Sequence, residues 1–236
     1  MEHSLEISTT DALILAGGLG TRLRPQLKDV PKVLAPVKGK PFLEILIDNL
    51  VEQGFQKIIL CLGYMKDQVI NHFMERDDCK IIFSIENKPL GTAGGIKNAE
   101  DKIQSSPFIV LNGDSFCRII YKDFINFHAD MKAFVTLGLV SKDKNEDFGS
   151  IKLENDKKTI VSFNEKIESN SRYINAGVYC MEKEFLKCIP PNSKVSLEYD
   201  IFPNLIGGKF FGYISDENMI DIGTPETYEI ARKFLK

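Results

Sequence analysis

Gly17-Gly18-Leu19-Gly20-Thr21-Arg22-Leu23-Arg24 follows an apolar run, and Lys32 stands shortly after it in Val30-Pro31-Lys32-Val33-Leu34. Closely spaced glycines let the backbone approach a ligand, and successive N–H groups in such a turn can surround phosphate oxygens. A glycine-rich turn alone is equally an ordinary tight loop. The cations shift that balance, because Arg22 within the loop and Lys32 beyond it supply the charge that a bound polyphosphate requires. The spacing is neither G-x-G-x-x-G nor a Walker A loop.

Other segments each have two readings. Leu90-Gly91-Thr92-Ala93-Gly94-Gly95, after Pro89, is either a ligand-facing glycine stretch or a glycine-rich helix start. Asn112-Gly113-Asp114 closes a second apolar run, and Asn-Gly is a strong hairpin signal, so a turn residue is the simple reading of Asp114. Asp221 lies near Thr224-Pro225, and Glu165-Lys166 is a neighbour pair of a kind common on surfaces. His3, His72 and His128 are isolated and read as structural or surface residues.

The elements that must position these residues follow from apolar patterning. Short apolar runs predict strands at Asp11–Ala16, Lys57–Leu62, Lys80–Ile85 and Pro107–Leu111. Helical spacing predicts helices at Phe42–Gln53, Lys66–Met74 and Ala93–Ile103. This βαβ rhythm specifies an α/β fold, a Rossmann-like three-layer sandwich with a mostly parallel central sheet. Beyond Asp114, strands are expected at Ala133–Val140, Ser150–Leu153, Thr159–Phe163 and Tyr173–Met181, as a small antiparallel extension forming a lid at one edge. Late helices are expected at Tyr199–Ile206 and at Pro225–Leu235, the second with Thr224 as N-cap and Pro225 at N1. Residues 1–10 read as a flexible extension and 11–236 as a single domain. Ligands in open α/β sheets bind beyond the carboxyl ends of the strands, where the glycine loop and Asp114 both fall.

The 236-residue chain has a net charge of −3, so an anionic substrate must be held by a few local cations. No basic footprint for nucleic acid is present. The five cysteines are odd in number and form no C-x-x-C pair, which argues for free thiols in a reducing compartment over a disulfide framework or zinc site. The first ten residues carry no apolar h-region, and no apolar run reaches the ~20 residues of a membrane span. The expectation is a cytoplasmic protein with no membrane partner; a homodimer is compatible with the chain but not derivable from it.

From about Ala12 to Leu235 the chain resembles the sugar-1-phosphate nucleotidyltransferases. Gly-Gly-x-Gly-Thr-Arg and Pro-Lys-x-Leu are followed in order by Pro89–Gly95, Asn112–Asp114, Asn164-Glu165-Lys166, Asn175-Ala176-Gly177 and Asp221-Ile222-Gly223-Thr224-Pro225. Each is weak alone; five in this order are specific. The resemblance implies transfer of a nucleoside monophosphate from a nucleoside triphosphate to a sugar 1-phosphate, with release of pyrophosphate. By the same resemblance Arg22, Lys32 and Asp114 are catalytic, and Leu15, Gly17, Gly18, Gly20, Thr21, Arg22, Leu90, Gly91, Gly95 and Asn112 bind the nucleotide. Gly113, Glu165, Lys166, Asn175 and Gly177 take the sugar phosphate, making the antiparallel extension sugar-binding. Asp114 and Asp221 hold Mg²⁺, a hard cation suited to few carboxylates with phosphates and water completing its shell.

Lys28-Asp29-Val30-Pro31-Lys32, Lys40-Pro41-Phe42-Leu43 and Ser196-Leu197-Glu198 resemble the D-glycero-D-manno-heptose 1-phosphate guanylyltransferase branch, implying GTP, a GDP-heptose product and surface polysaccharide. Met219 where relatives often carry an aromatic, Val33 after Lys32 and Ile167 after Lys166 depart from the commoner pattern. Guanylyl, cytidylyl or uridylyl transfer to mannose, glucose or N-acetylmuramic acid 1-phosphate therefore stays open, as does a cytidylyltransferase for another phosphorylated alcohol. A non-catalytic nucleotide-sensing subunit is disfavoured, since Arg22, Lys32 and both carboxylates are present.

Overall fold

The computed structural model of the protein describes residues 6–27, 29–141, 150–164 and 172–234. The first half comprises β1 (Ala12–Leu15), α1 (Arg24–Leu27), β2 (Pro36–Val37), β3 (Lys40–Pro41), α2 (Phe42–Glu52), β4 (Lys57–Leu62), α3 (Lys66–Phe73), β5 (Lys80–Ile85), α4 (Gly91–Asn98) and β6 (Phe108–Asn112). The second comprises β7 (Ser115–Cys117), α5 (Tyr121–Asp130), β8 (Val135–Ser141), β9 (Ser150–Leu153), β10 (Ile160–Asn164), β11 (Tyr173–Met181), β12 (Phe210–Ser215), β13 (Met219–Asp221) and α6 (Pro225–Phe234).

Nine strands form the main sheet in the order β10-β9-β11-β6-β1-β4-β5, with β8 paired to β11 and β12 to β8. β1 lies between β4 and β6, parallel to both, and β5 continues the parallel set. Side chains alternate faces along a strand, and this separates two cores. Ala12 and Ile14 join one face with α2, α3 and α5, while Leu13, Ile59 and Val110 join the other with α4. Two helical layers over one sheet make the expected three-layer sandwich. α2 shows the sequence logic directly: Phe42, Leu43, Leu46, Ile47 and Leu50 are buried at i, i+1, i+4, i+5 and i+8. Each such side chain contributes about 1.5–3 kcal/mol on burial.

The extension is antiparallel as expected, with β11 antiparallel to β6 and β8 antiparallel to β11; the additional strand β12 is parallel to β8. β9 and β10 form an antiparallel pair that meets β11 at Tyr173 and Ile174. The predicted helix Tyr199–Ile206 is instead a π turn, Leu197–Ile201, followed by a 3-10 turn, Phe202–Leu205. Pro203, lacking an N–H, cannot continue regular α hydrogen bonding there. α4 begins at Gly91 rather than Ala93 and ends at Asn98, with a separate 3-10 turn at Glu100–Lys102. Ile7–Thr9 also form a 3-10 turn, with Ile7 packed against the core and Thr10 buried beside it. At α6, the Thr227 N–H donates to the Thr224 hydroxyl at 3.2 Å, the cap read from the sequence.

Cys61, Cys79, Cys117 and Cys180 are buried and Cys188 is exposed; all five are free thiols. Among the described residues, no helix is long and apolar enough to cross a membrane.

Candidate functional site

The glycine loop leaves β1 at the carboxyl edge of the sheet. The Ala16 N–H donates to the Cys61 carbonyl at 2.9 Å, and the Leu23 N–H to the Gly20 carbonyl at 3.1 Å. The loop is therefore tied to β4 at its start and closes as a turn that carries Thr21 and Arg22. Arg22 is exposed and forms no ion pair with the described residues. Leu15, Gly17, Gly18, Lys32, Gly91, Gly95, Asn112 and Asp114 line one cavity of about 320 Å³. These residues come from β1, the 3-10 turn Lys32–Leu34, α4 and β6, so parallel pairing of β1 with β6 gathers segments far apart in the chain.

Lys32 is largely buried, and its Nζ donates to Asp114 Oδ2 at 2.7 Å. Asp114 follows Gly113, whose N–H donates to the Leu15 carbonyl at 2.9 Å. The Asn112-Gly113 turn does not make a β6–β7 hairpin: β7 pairs instead with β13, placing Asp221 opposite Ser115. The Ile222 N–H donates to the Asp114 carbonyl at 2.9 Å, which brings Asp221 close to Asp114, itself on the cavity wall. Asp221 Oδ1 accepts the Gly223 N–H at 2.7 Å and the Thr227 hydroxyl at 3.1 Å. Burial first, and then the negative charge of Asp114, hold the Asp221 carboxyl above the usual carboxylate range. Two neighbouring carboxylates and one ammonium leave excess negative charge, which fits a hard divalent cation. Among the described residues no cluster of three or more His, Cys, Asp or Glu side chains forms a protein cage for a metal ion.

The opposite end of the cavity holds a residue that the sequence reading passed over. Glu86 follows β5 and lines the cavity beside Pro89, Gly91 and Thr92. Its Oε2 accepts the Leu90 N–H at 3.2 Å. Its Oε1 lies so close to Gly17 and Gly63 that a Cβ at either position would come within 3.0 Å and 2.7 Å of it. A side chain at 17 would therefore have to push the Glu86 carboxylate aside. Burial raises the Glu86 carboxyl above its ordinary value, partly offset by the Leu90 N–H. No cation pairs with it among the described residues. The only sequence signal was an acidic residue just past a buried strand, and no motif marked it. The first amides of α4 are already committed, since the N–H groups of Ala93 and Gly94 donate to the Val195 carbonyl at 3.0 and 3.2 Å.

Asn175 and Gly177 lie beside the cavity on an irregular part of β11. Asn175 pairs with Leu139 and Tyr179 with Leu137, so Ala176, Gly177 and Val178 stand opposite Gly138 alone. Gly177 has φ +71, and a Cβ there would lie 2.4 Å from Ser115 Oγ. Gly177→Ala is therefore expected to cost at least ~1–2 kcal/mol from the left-handed backbone alone, with the Ser115 clash in addition. The expected result is a fall of roughly 3–8 °C in Tm together with loss of activity. An unchanged melting curve would refute the close packing.

The structure thus brings Lys32, Asp114 and Asp221 together, with the glycine loop, Asn112 and Gly113 on one side and Asn175 and Gly177 on another. Gly20, Thr21 and Arg22 flank the cavity, and Leu90 packs behind Glu86. Glu165 and Lys166 lie outside the described residues.

The fold and site define an α/β nucleotide-binding protein built for phosphate chemistry. Residues 11–236 match the family described as nucleotidyl transferase, and the chain belongs to that family. It is 35% identical to the D-glycero-alpha-D-manno-heptose 1-phosphate guanylyltransferase of Aneurinibacillus thermoaerophilus, over 96% of this chain and 98% of that protein. Identity to the protein of the same name from Campylobacter jejuni is 34%, covering 92% and 96% of the two chains. The crystal structure of HddC from Yersinia pseudotuberculosis superposes with a TM-score of 0.85 at 38% identity, over 97% of this chain and all of that one, and HddC has also been solved in complex with GMP-PN.

Proposed function

We propose that the protein transfers GMP from GTP to a sugar 1-phosphate, D-glycero-α-D-manno-heptose 1-phosphate in the first instance, releasing pyrophosphate. The observation that carries the guanine choice is the Glu86 carboxylate, without a cation partner among the described residues, in the cavity shared by the glycine loop and Lys32. A carboxylate repels phosphate, so that end of the cavity suits a nucleobase. Guanine presents adjacent N1–H and N2–H₂ donors, which match the two acceptor oxygens of a carboxylate. Uracil offers one N–H between two carbonyls, and cytosine and adenine offer an amino group beside an acceptor nitrogen. Three relatives and neighbours named above as guanylyltransferases or bound to GMP-PN support the same choice.

The reaction follows from placing the triphosphate between Glu86 and Asp114. An oxygen of the sugar phosphate attacks the α-phosphorus in line; the bond to the β-phosphate oxygen breaks and its electrons leave with pyrophosphate. The nucleophile is already ionised near neutral pH, so no general base is required. Both reactants are anionic, and catalysis consists of positioning and charge stabilisation. Lys32 and Arg22 supply positive charge at the α-phosphate and the leaving group. Loop amides from Gly17 to Thr21 cradle the β- and γ-phosphates. Asp114 and Asp221 would hold Mg²⁺, which when bound neutralises charge on the transferring phosphoryl group. Glu165 and Lys166 are assigned to the sugar phosphate on the resemblance alone.

The test is pyrophosphate release across a matrix of nucleoside triphosphates and sugar 1-phosphates with Mg²⁺. Heptose 1-phosphate with GTP is expected to be the best pair, and no release from any pair would overturn the proposal. Glu86→Gln is expected to lower kcat/KM for GTP roughly 10- to 150-fold, the loss of a charged hydrogen-bond acceptor, while activity with UTP does not fall. The raised Glu86 carboxyl adds a pH signature. Acidification protonates it above the usual carboxylate range, so KM for GTP should rise with falling pH sooner than an ordinary glutamate would cause. Subtracting the Glu86→Gln profile removes the titration of GTP itself. Identical profiles for the two enzymes would exclude Glu86 from guanine binding.

A further inference from the structure

Tyr179 lies on β11, fully buried, with its ring 5.4 Å from that of Phe202. By pattern it is an ordinary core residue. Its hydroxyl, however, collects both asparagines of the site. Asn175 Nδ2 donates to it at 2.9 Å and Asn112 Nδ2 at 3.4 Å. Asn175 comes from the β11 irregularity on the acceptor side, and Asn112 ends β6 on the nucleotide side.

The amide of Asn175 has little freedom left. Its Oδ1 accepts the Gly177 N–H at 3.0 Å, which fixes the oxygen toward the turn and the nitrogen toward Tyr179. One amide N–H is then satisfied by the phenol oxygen, and the second has no partner among the described residues. On the Asn112 side, Oδ1 is buried without a partner among the described residues while Nδ2 faces the same phenol. Each asparagine therefore shows one unused hydrogen-bonding group, and the same hydroxyl sets the direction of both. A buried group so placed confers orientation that a flexible surface asparagine lacks.

We propose that Tyr179 is a positioning residue that orients Asn175 toward the hydroxyl-bearing acceptor and couples it to Asn112 at the nucleotide. The inference rests on the sugar-phosphate reading of the site. Tyr179 touches neither substrate and acts through the two amides. The shorter bond is to Asn175, so the acceptor side depends on Tyr179 more than the nucleotide side does.

The experiment uses Tyr179→Phe, which keeps the ring and its packing and removes only the hydroxyl. KM for the sugar 1-phosphate that the wild type uses best is expected to rise roughly 3- to 15-fold, the range for one or two neutral hydrogen bonds. KM for GTP should change less than about twofold. Asn175→Ala should raise the acceptor KM similarly, and adding Tyr179→Phe to it should bring little further rise, because the two groups act as one unit. An unchanged acceptor KM in Tyr179→Phe would overturn the proposal. So would a fully additive double variant, or a lower melting temperature, up to complete failure to fold, with equal shifts in both KM values; each would leave the hydroxyl a stability role only. A wild type inactive with every sugar 1-phosphate would instead overturn the substrate reading, and the positioning role with it.

Discussion

Asp114→Asn is expected to reduce the rate of pyrophosphate release at saturating substrates by at least roughly 10²- to 10³-fold, the scale for removing one preorganised charge-stabilising group. Two losses combine. Lys32 Nζ loses its charged partner at 2.7 Å, and Asp221 loses the second carboxylate with which it would hold a divalent cation. Because these groups act together, Lys32→Ala in the Asp114→Asn background should cost much less than it does in the wild type. Asn is nearly isosteric with Asp, so a preserved melting curve separates lost catalysis from lost folding. Turnover within a few fold of wild type would remove Asp114 from the mechanism.

Arg22→Ala is expected to lower the same rate by roughly 10²-fold or more while leaving Tm within about 1 °C of wild type, as for a surface substitution without partners. The contrast with Asp114 is structural. Arg22 is exposed and makes no ion pair with the described residues, so its removal leaves no buried charge unpaired. Arg22→Lys should recover only part of the rate, since an ammonium lacks the planar fork that binds two phosphate oxygens at once. Full activity in Arg22→Lys would show that charge alone is needed, and full activity in Arg22→Ala would show that the loop works through its backbone.

Much of the fold was legible in the sequence. The bounds of β4, β5, β9 and β11 coincide with the segments read as strands; β4 and β11 are largely buried, and such a strand announces itself by composition over its own length. The short β7 and β13 were not legible. Three residues each, they are defined by pairing with one another across most of the second half of the chain. The late helix failed for a related reason: Leu197–Leu205 has helical spacing, but the Thr92 hydroxyl, bonded to the Leu197 N–H and to Glu198, and the position of Pro203 impose tighter and wider turns. α5 was passed over although Tyr121, Phe124, Ile125 and His128 are buried at i, i+3, i+4 and i+7, a pattern diluted by intervening polar residues.

The candidate site divides in the same way. The glycine loop, Arg22 and Lys32 could be read as phosphate-binding from the chain alone, because local backbone geometry and nearby cations suffice for that chemistry. Nothing local distinguished Asp114 from a turn residue or Asp221 from a loop residue. Only the β7–β13 pairing brings Asp221 near Asp114, where burial first and then the Asp114 charge raise its carboxyl. Glu86 and Tyr179 bear no motif, since their roles depend on what surrounds them: an uncompensated carboxylate against Gly17 and Gly63, and a phenol between two asparagines. The sequence by itself determined an α/β fold with a glycine loop at the carboxyl end of its first strand. The tertiary structure decided that Asp221 lies near Asp114, that Glu86 lies against Gly17 and Gly63, and that one phenol meets two asparagines, because each of these is a meeting of side chains from segments distant in the chain.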